Sequence, residues 1–181
     1  MAVKKYVRDI MLPLSEYAVV SIDATLYEAF VALKEAQKKL PQGLQPHRAV
    51  LIVDKDDKIV GKLGHLGFLR ALEPRYKSLG QLDLISKAGL TKEFITSMMD
   101  NYGLMQDDLK DIRVRTKKIL VKDVMRPVTE NVDIDDTINE AIHKIIMYQT
   151  LSALVTKDGR IVGILRLSDL FDEVSRNILR E

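Results

Sequence analysis

The chain repeats itself, and that repetition constrains the fold before any single residue is interpreted. Asp9-Ile10-Met11 returns as Asp123-Val124-Met125 at an offset of 114. Val20-Ser21-Ile22-Asp23-Ala24-Thr25-Leu26-Tyr27-Glu28-Ala29 returns as Val132-Asp133-Ile134-Asp135-Asp136-Thr137-Ile138-Asn139-Glu140-Ala141 at 112. Leu51-Ile52-Val53-Asp54-Lys55-Asp56-Asp57-Lys58-Ile59-Val60-Gly61 matches Ala153-Leu154-Val155-Thr156-Lys157-Asp158-Gly159-Arg160-Ile161-Val162-Gly163 at 102. Such copies are supersecondary units that bury their apolar faces against one another. The drop in offset gives copy 1 about ten extra residues, placed most simply in the Pro/Gly-bearing stretch Leu40-Pro41-Gln42-Gly43-Leu44-Gln45-Pro46, which reads as a loop.

Both copies predict one order of elements. A short strand (Val19 to Ile22, Asn131 to Ile134) precedes a helix, with Asp23 and Asp135 near the helix start, where an acidic side chain can cap free amides and oppose the positive end of the dipole. Leu26, Ala29, Phe30 and Leu33, and Ile138, Ala141, Ile142, Ile145 and Ile146, recur at helical spacing and mark the buried faces. Then come an apolar strand, a turn (Lys55-Asp56-Asp57 or Lys157-Asp158-Gly159), a second strand and a closing helix. Asp158-Gly159 is the better hairpin signal, because glycine takes positive φ without steric cost.

This β-α-β-β-α order, read twice, resembles the tandem CBS-domain pair, or Bateman module. Gly163-Ile164-Leu165-Arg166-Leu167-Ser168-Asp169-Leu170 carries the likeness furthest, matching the family's Gly, apolar, any, Ser/Thr, two more, Asp. The resemblance implies an α/β (α+β) fold of two repeats packed as a pseudo-twofold pair. Residues 1–73 form repeat 1, 74–116 a helical insertion and 117–181 repeat 2.

It also implies a ligand: an adenosine-containing nucleotide, AMP, ADP, ATP or S-adenosylmethionine, in the cleft between repeats. Carried over by position, the cleft combines Ile164, Arg166, Ser168 and Asp169 with Pro13, Tyr17, Ala18 and Val19, and with Arg48, Ala49 and Val50. Asp169 would accept the ribose hydroxyls, although its place near a helix start equally suits capping. Arg166 stands where the family usually has Ser or Thr. A guanidinium there could grip phosphate in a bidentate way, block the pocket, or simply lie on the surface. In the second cleft Gly64, Leu66 and Gly67 replace Arg166, Ser168 and Asp169, so no ribose acceptor remains and one pocket per chain is expected.

Other chemistries find little support. Gly61-Lys62-Leu63-Gly64-His65-Leu66-Gly67 fits neither a dinucleotide fingerprint nor a Walker loop. His47, His65 and His143 lack metal-ligand spacing, and His143 reads as a helix-surface residue. Ser15, Ser21 and Ser168 have no nucleophile-elbow context. The acid pairs Asp56-Asp57, Asp107-Asp108 and Asp135-Asp136 sit at predicted turns and helix starts, where solvation and capping explain them. The expectation is therefore no enzyme, no cofactor and no metal.

In the insertion, Leu90 to Met99 predicts a helix with Phe94, Ile95, Met98 and Met99 on one side, and Gln106 to Val114 a second. That stripe could pack on its own module, on a second chain or on an external partner. Arg113, Arg115, Lys117 and Lys118 lack the interleaved aromatics of a nucleic-acid platform, and 28 Lys plus Arg against 26 Asp plus Glu gives a net charge of only +2. With no cysteine, no apolar run after the N-terminal basic residues and no stretch near the roughly 18 apolar residues of a membrane span, the expectation is a soluble, cytoplasmic homodimer that regulates an unidentified protein. The alternative is a ligand-free scaffold for dimerisation or docking.

Overall fold

The computed structural model describes residues 4–79, 89–106 and 108–179. Its elements run β1 (Leu12–Pro13), β2 (Val19–Ser21), α1 (Leu26–Lys39), β3 (Ala49–Val53), β4 (Ile59–Gly64), α2 (His65–Ala71), α3 (Lys92–Tyr102), α4 (Leu109–Thr116), β5 (Arg126–Pro127), β6 (Asn131–Asp133), α5 (Ile138–Tyr148), β7 (Ser152–Lys157), β8 (Arg160–Arg166) and α6 (Leu167–Ile178). The architecture is α/β, two β-α-β-β-α copies related by a pseudo-twofold axis. In each copy the opening strand pairs in parallel with the strand after its helix (β2 with β3, β6 with β7), and that strand forms an antiparallel hairpin with the next.

Each sheet is completed by a two-residue strand from the other half. β1 pairs with β8, Leu12 opposite Ile164 and Pro13 opposite Gly163, while β5 pairs with β4, Arg126 opposite Lys62 and Pro127 opposite Gly61. The exchange extends upstream of both strands. Leu26 and Ile138, at the first turns of α1 and α5, donate their backbone N–H groups to the carbonyls of Ile119 and Lys5, so helix-end donors that have no intrahelical acceptor find one in the opposite half. Val7, Ile10 and Met11 pack into the core of repeat 2, and Ile119, Val121, Val124 and Met125 into that of repeat 1. Units of packing therefore cross the units of sequence. A third cluster, Leu12, Tyr17, Leu51, Leu154 and Ile164, fills the seam between the sheets.

Both long helices begin in capping boxes. Thr25 Oγ1 accepts from the Glu28 amide while Glu28 accepts from the Thr25 amide, and Thr137 with Glu140 does the same. Asp23 and Asp135 are not the caps. They reach across the halves instead, Asp23 to Lys122 and Asp135 to Arg8. Both pairs are exposed, so they fix orientation more than they add stability. The turn at Asp158-Gly159 has both residues at positive φ, as a tight hairpin turn demands. The weaker turn signal also forms a turn, with Asp57 at φ 57° and the Asp54 carboxylate accepting from the amides of Asp56 and Lys58.

The insertion folds into α3 and α4. Phe94, Ile95 and Met99 are exposed and Met98 half-buried, so the apolar stripe finds no cover among the described residues. Asp107 lies outside them.

Candidate functional site

β8 delivers Arg166 to the seam, and the chain then turns directly into α6, which places Asp169 three residues on, in the first helical turn. One turn of helix brings the two side chains together. Arg166 Nε donates to Asp169 Oδ2 at 2.6 Å and Nη2 to Oδ1 at 2.5 Å, a bidentate pair in which the side chains are 5% and 12% exposed. Asp169 thus spends its carboxylate on the guanidinium, and α6 receives no side-chain cap at Arg166.

The remaining guanidinium nitrogen crosses to repeat 1. Nη1 donates to the Gln45 carbonyl at 2.6 Å and lies 3.5 Å from His47 Nδ1. His47 is fully buried and stacks edge-on against Tyr17, ring centroids 4.5 Å apart. Burial first, and then the Arg166 cation, push the His47 imidazole below its usual range, so it is neutral at pH 7. Facing Arg166, Nδ1 is the acceptor; Nε2 then carries the proton, and no acceptor among the described residues meets it in hydrogen-bond geometry, while the Glu16 backbone, Asp169 and the Glu16 carboxylate partly oppose the downward shift. Burial raises the Tyr17 phenol to about 12, with Arg166 pulling it down and Asp169 pushing it up. Both charged residues are therefore electrically close to Tyr17.

Of the expected cleft residues, the structure brings Tyr17, Arg166 and Asp169 together. Pro13 and Ile164 lie in the β1–β8 ladder, and Ile164 joins the seam core. Ala18, Ala49 and Val50 are buried in repeat 1, Ser168 is half-buried at the start of α6, and Val19 and Arg48 are exposed. A groove of about 540 Å³ adjoins the seam, between residues 15–19 and the second half of α1. It shares Tyr17, Ala18 and Val19 with the expected cleft but does not reach Arg166, Ser168 or Asp169. Gln45 and His47 escaped the sequence reading. They belong to the longer α1–β3 connection of copy 1, which was legible as a loop, and a lone histidine beside Pro46 carried no other signal.

The opposite seam holds a second cation. Lys62 Nζ lies 3.0 Å from both Thr150 Oγ1 and the Ser152 carbonyl, and 3.5 Å from Glu130. Burial lowers its ammonium pKa, with Glu130 acting in the other direction. Gly64 serves as the N-terminal cap position of α2, and Gly67 is pressed against Leu63, whose Cδ1 would stand 2.7 Å from an added Cβ. Arg166 and Lys62 thus span the two seams in opposite directions. His65 and His143 are exposed.

Two interlocked β-α-β-β-α copies with polar residues at their seam define a tandem repeat module. The family model for the CBS domain matches residues 7–73 and 121–176, more than half of the sequence, and the chain belongs to that family. Solved structures agree in fold. CBSX2 from Arabidopsis thaliana is similar at 17% identity and a TM-score of 0.61, covering 98% of this chain and 99% of that one. CBSX2 in complex with AMP matches at 19% identity and 0.56, covering 97% and 98%. Protein MJ1004 from Methanocaldococcus jannaschii matches at 23% and 0.56 over 95% of this chain, which spans 60% of MJ1004. At these identities the likeness speaks for fold alone. No curated protein matches the chain. Among the described residues no helix is long and apolar enough to cross a membrane.

Proposed function

We propose that this chain is a regulatory module, not an enzyme, that binds an adenosine-containing ligand at the seam beside Asp169. One observation carries the reading: a largely buried carboxylate in the first turn of α6 faces the Tyr17–His47 pair of the other repeat. Ribose hydroxyls are neutral donors that a carboxylate can accept in pairs, and they compete with Arg166 for the same oxygens. The AMP complex of CBSX2, a protein of this fold, supports the ligand class. Regulation follows when the ligand prefers one arrangement of the repeats over another.

Calorimetry of the full chain with AMP, ADP, ATP and S-adenosylmethionine tests this. At least one should bind at one site per chain, and Asp169→Ala should weaken it by about tenfold or more, the loss of charge-assisted bonds worth roughly 1.4 kcal/mol. Silence from all four would remove the proposal, as would binding that Asp169→Ala leaves untouched.

A ligand-free scaffold is the second reading, favoured by Arg166 occupying Asp169 and by exposed Leu66, Leu69, Phe171 and Ile178 on α2 and α6. Light scattering with and without nucleotide separates the two, because a scaffold does not respond.

A further inference from the structure

Arg166 is almost wholly enclosed, and its polar contacts divide unequally. The Gln45 carbonyl and the neutral His47 ring are uncharged, so among the described residues Asp169 is the one carboxylate bonded to the guanidinium. Breaking a buried ion pair is costly mainly because of the charge left behind. A ligand that draws both Asp169 oxygens to neutral hydroxyls competes for the guanidinium's two charge-assisted bonds and offers buried Arg166 no acceptor in return.

Resting on the function proposed above, we propose that Arg166 is a latch that makes the seam selective for phosphorylated nucleosides over neutral nucleosides and sulfonium-bearing ones. A phosphate attached to the same ribose returns two acceptor oxygens and a negative charge to the guanidinium, in the bidentate geometry it already uses with Asp169. Adenosine offers the diol alone. S-adenosylmethionine carries a sulfonium and an ammonium against a single carboxylate, so it brings net positive charge to a site that already holds a buried cation. The residue that closes the cleft in the free chain is then the residue that reads the ligand's charge.

Titration calorimetry with AMP, adenosine and S-adenosylmethionine against the native chain, Arg166→Ser and Arg166→Lys tests the latch. The native chain should bind AMP at least about tenfold more tightly than either other ligand. Arg166→Ser frees Asp169, so adenosine should bind it more tightly than it binds the native chain, and the AMP preference should collapse toward unity. Arg166→Lys keeps the cation without the fork and should retain most of the preference, which also answers the case in which Arg166→Ser fails to fold. Equal binding of adenosine and AMP by the native chain overturns the latch while leaving nucleoside binding intact. An AMP preference that survives in Arg166→Ser overturns it too. If neither the native chain nor any folded variant binds any of the three, nucleoside binding fails and the latch fails with it.

Discussion

Gly163→Ala is expected to destabilise the chain by about 2–3 kcal/mol, near the upper end for overpacking a formed core, and to lower the melting temperature by roughly 5–10 °C. The cause is local and rigid. An added Cβ would stand 2.5 Å from the Leu12 carbonyl oxygen and 3.3 Å from Met11 Sδ. The first is backbone, so relief requires β1 to move off β8. β1 cannot move alone, because Val7, Ile10 and Met11 beside it are anchored in the core of repeat 2. Equilibrium denaturant unfolding measures the loss, and a change under about 0.5 kcal/mol would show that the strand yields freely.

The repeat supplies its own control. Gly61 occupies the matching place in copy 1, but there an added Cβ meets Met125 Sδ at 2.5 Å, with the nearest backbone atom, Arg126 O, at 3.1 Å. A thioether side chain can turn aside, whereas a carbonyl in a β-ladder is held. Gly61→Ala should therefore lose less than Gly163→Ala, although the two glycines look alike in sequence.

That contrast shows where the sequence was legible. Matching segments revealed two copies and their element order, because helical apolar spacing and hairpin chemistry are local signals. The crossing strands were not visible: Leu12–Pro13 and Arg126–Pro127 are two residues long and have no period of their own. Their partners left a trace in Gly61 and Gly163, but glycine has too many uses for that trace to be unique. The helix caps were misassigned for a different reason. Asp23 and Asp135 are the conspicuous acids, while the Thr-x-x-Glu spacing of Thr25 with Glu28 and Thr137 with Glu140 was the stronger signature. At the candidate site, Asp169 and Arg166 stood out by position. The Gln45 carbonyl did not, since any residue has a carbonyl and only the loop's path brings this one to Arg166.

Acid should loosen the insertion at Glu73. Its side chain is covered, accepting from Arg75 Nε at 2.7 Å, Arg75 Nη2 at 2.9 Å, the Arg75 amide at 3.1 Å and the Met105 amide at 2.8 Å. The last bond joins the end of repeat 1 to the segment after α3, closing the excursion at its base. The Arg75 side-chain bond chiefly, then the two amides, hold the carboxyl at about 2 against an ordinary 4.5, with burial opposing them. Because the folded value lies below the unfolded one, this stabilisation is complete above about pH 4.5 and is lost as pH falls through about 2. Glu73 lies close under the surface and Arg75 is partly exposed, so solvent screening reduces the contribution to ~1–2 kcal/mol. Glu73→Gln should lose that amount at neutral pH and show no such fall between pH 4.5 and 2. Its Met105 amide should exchange with solvent faster, since a neutral acceptor holds it less firmly. Parallel pH–stability curves for the native chain and Glu73→Gln would mean that the fold does not depend on this charge, and that other contacts hold the insertion, among them buried Leu104 and the Arg115 Nη1 bond to the Leu72 carbonyl.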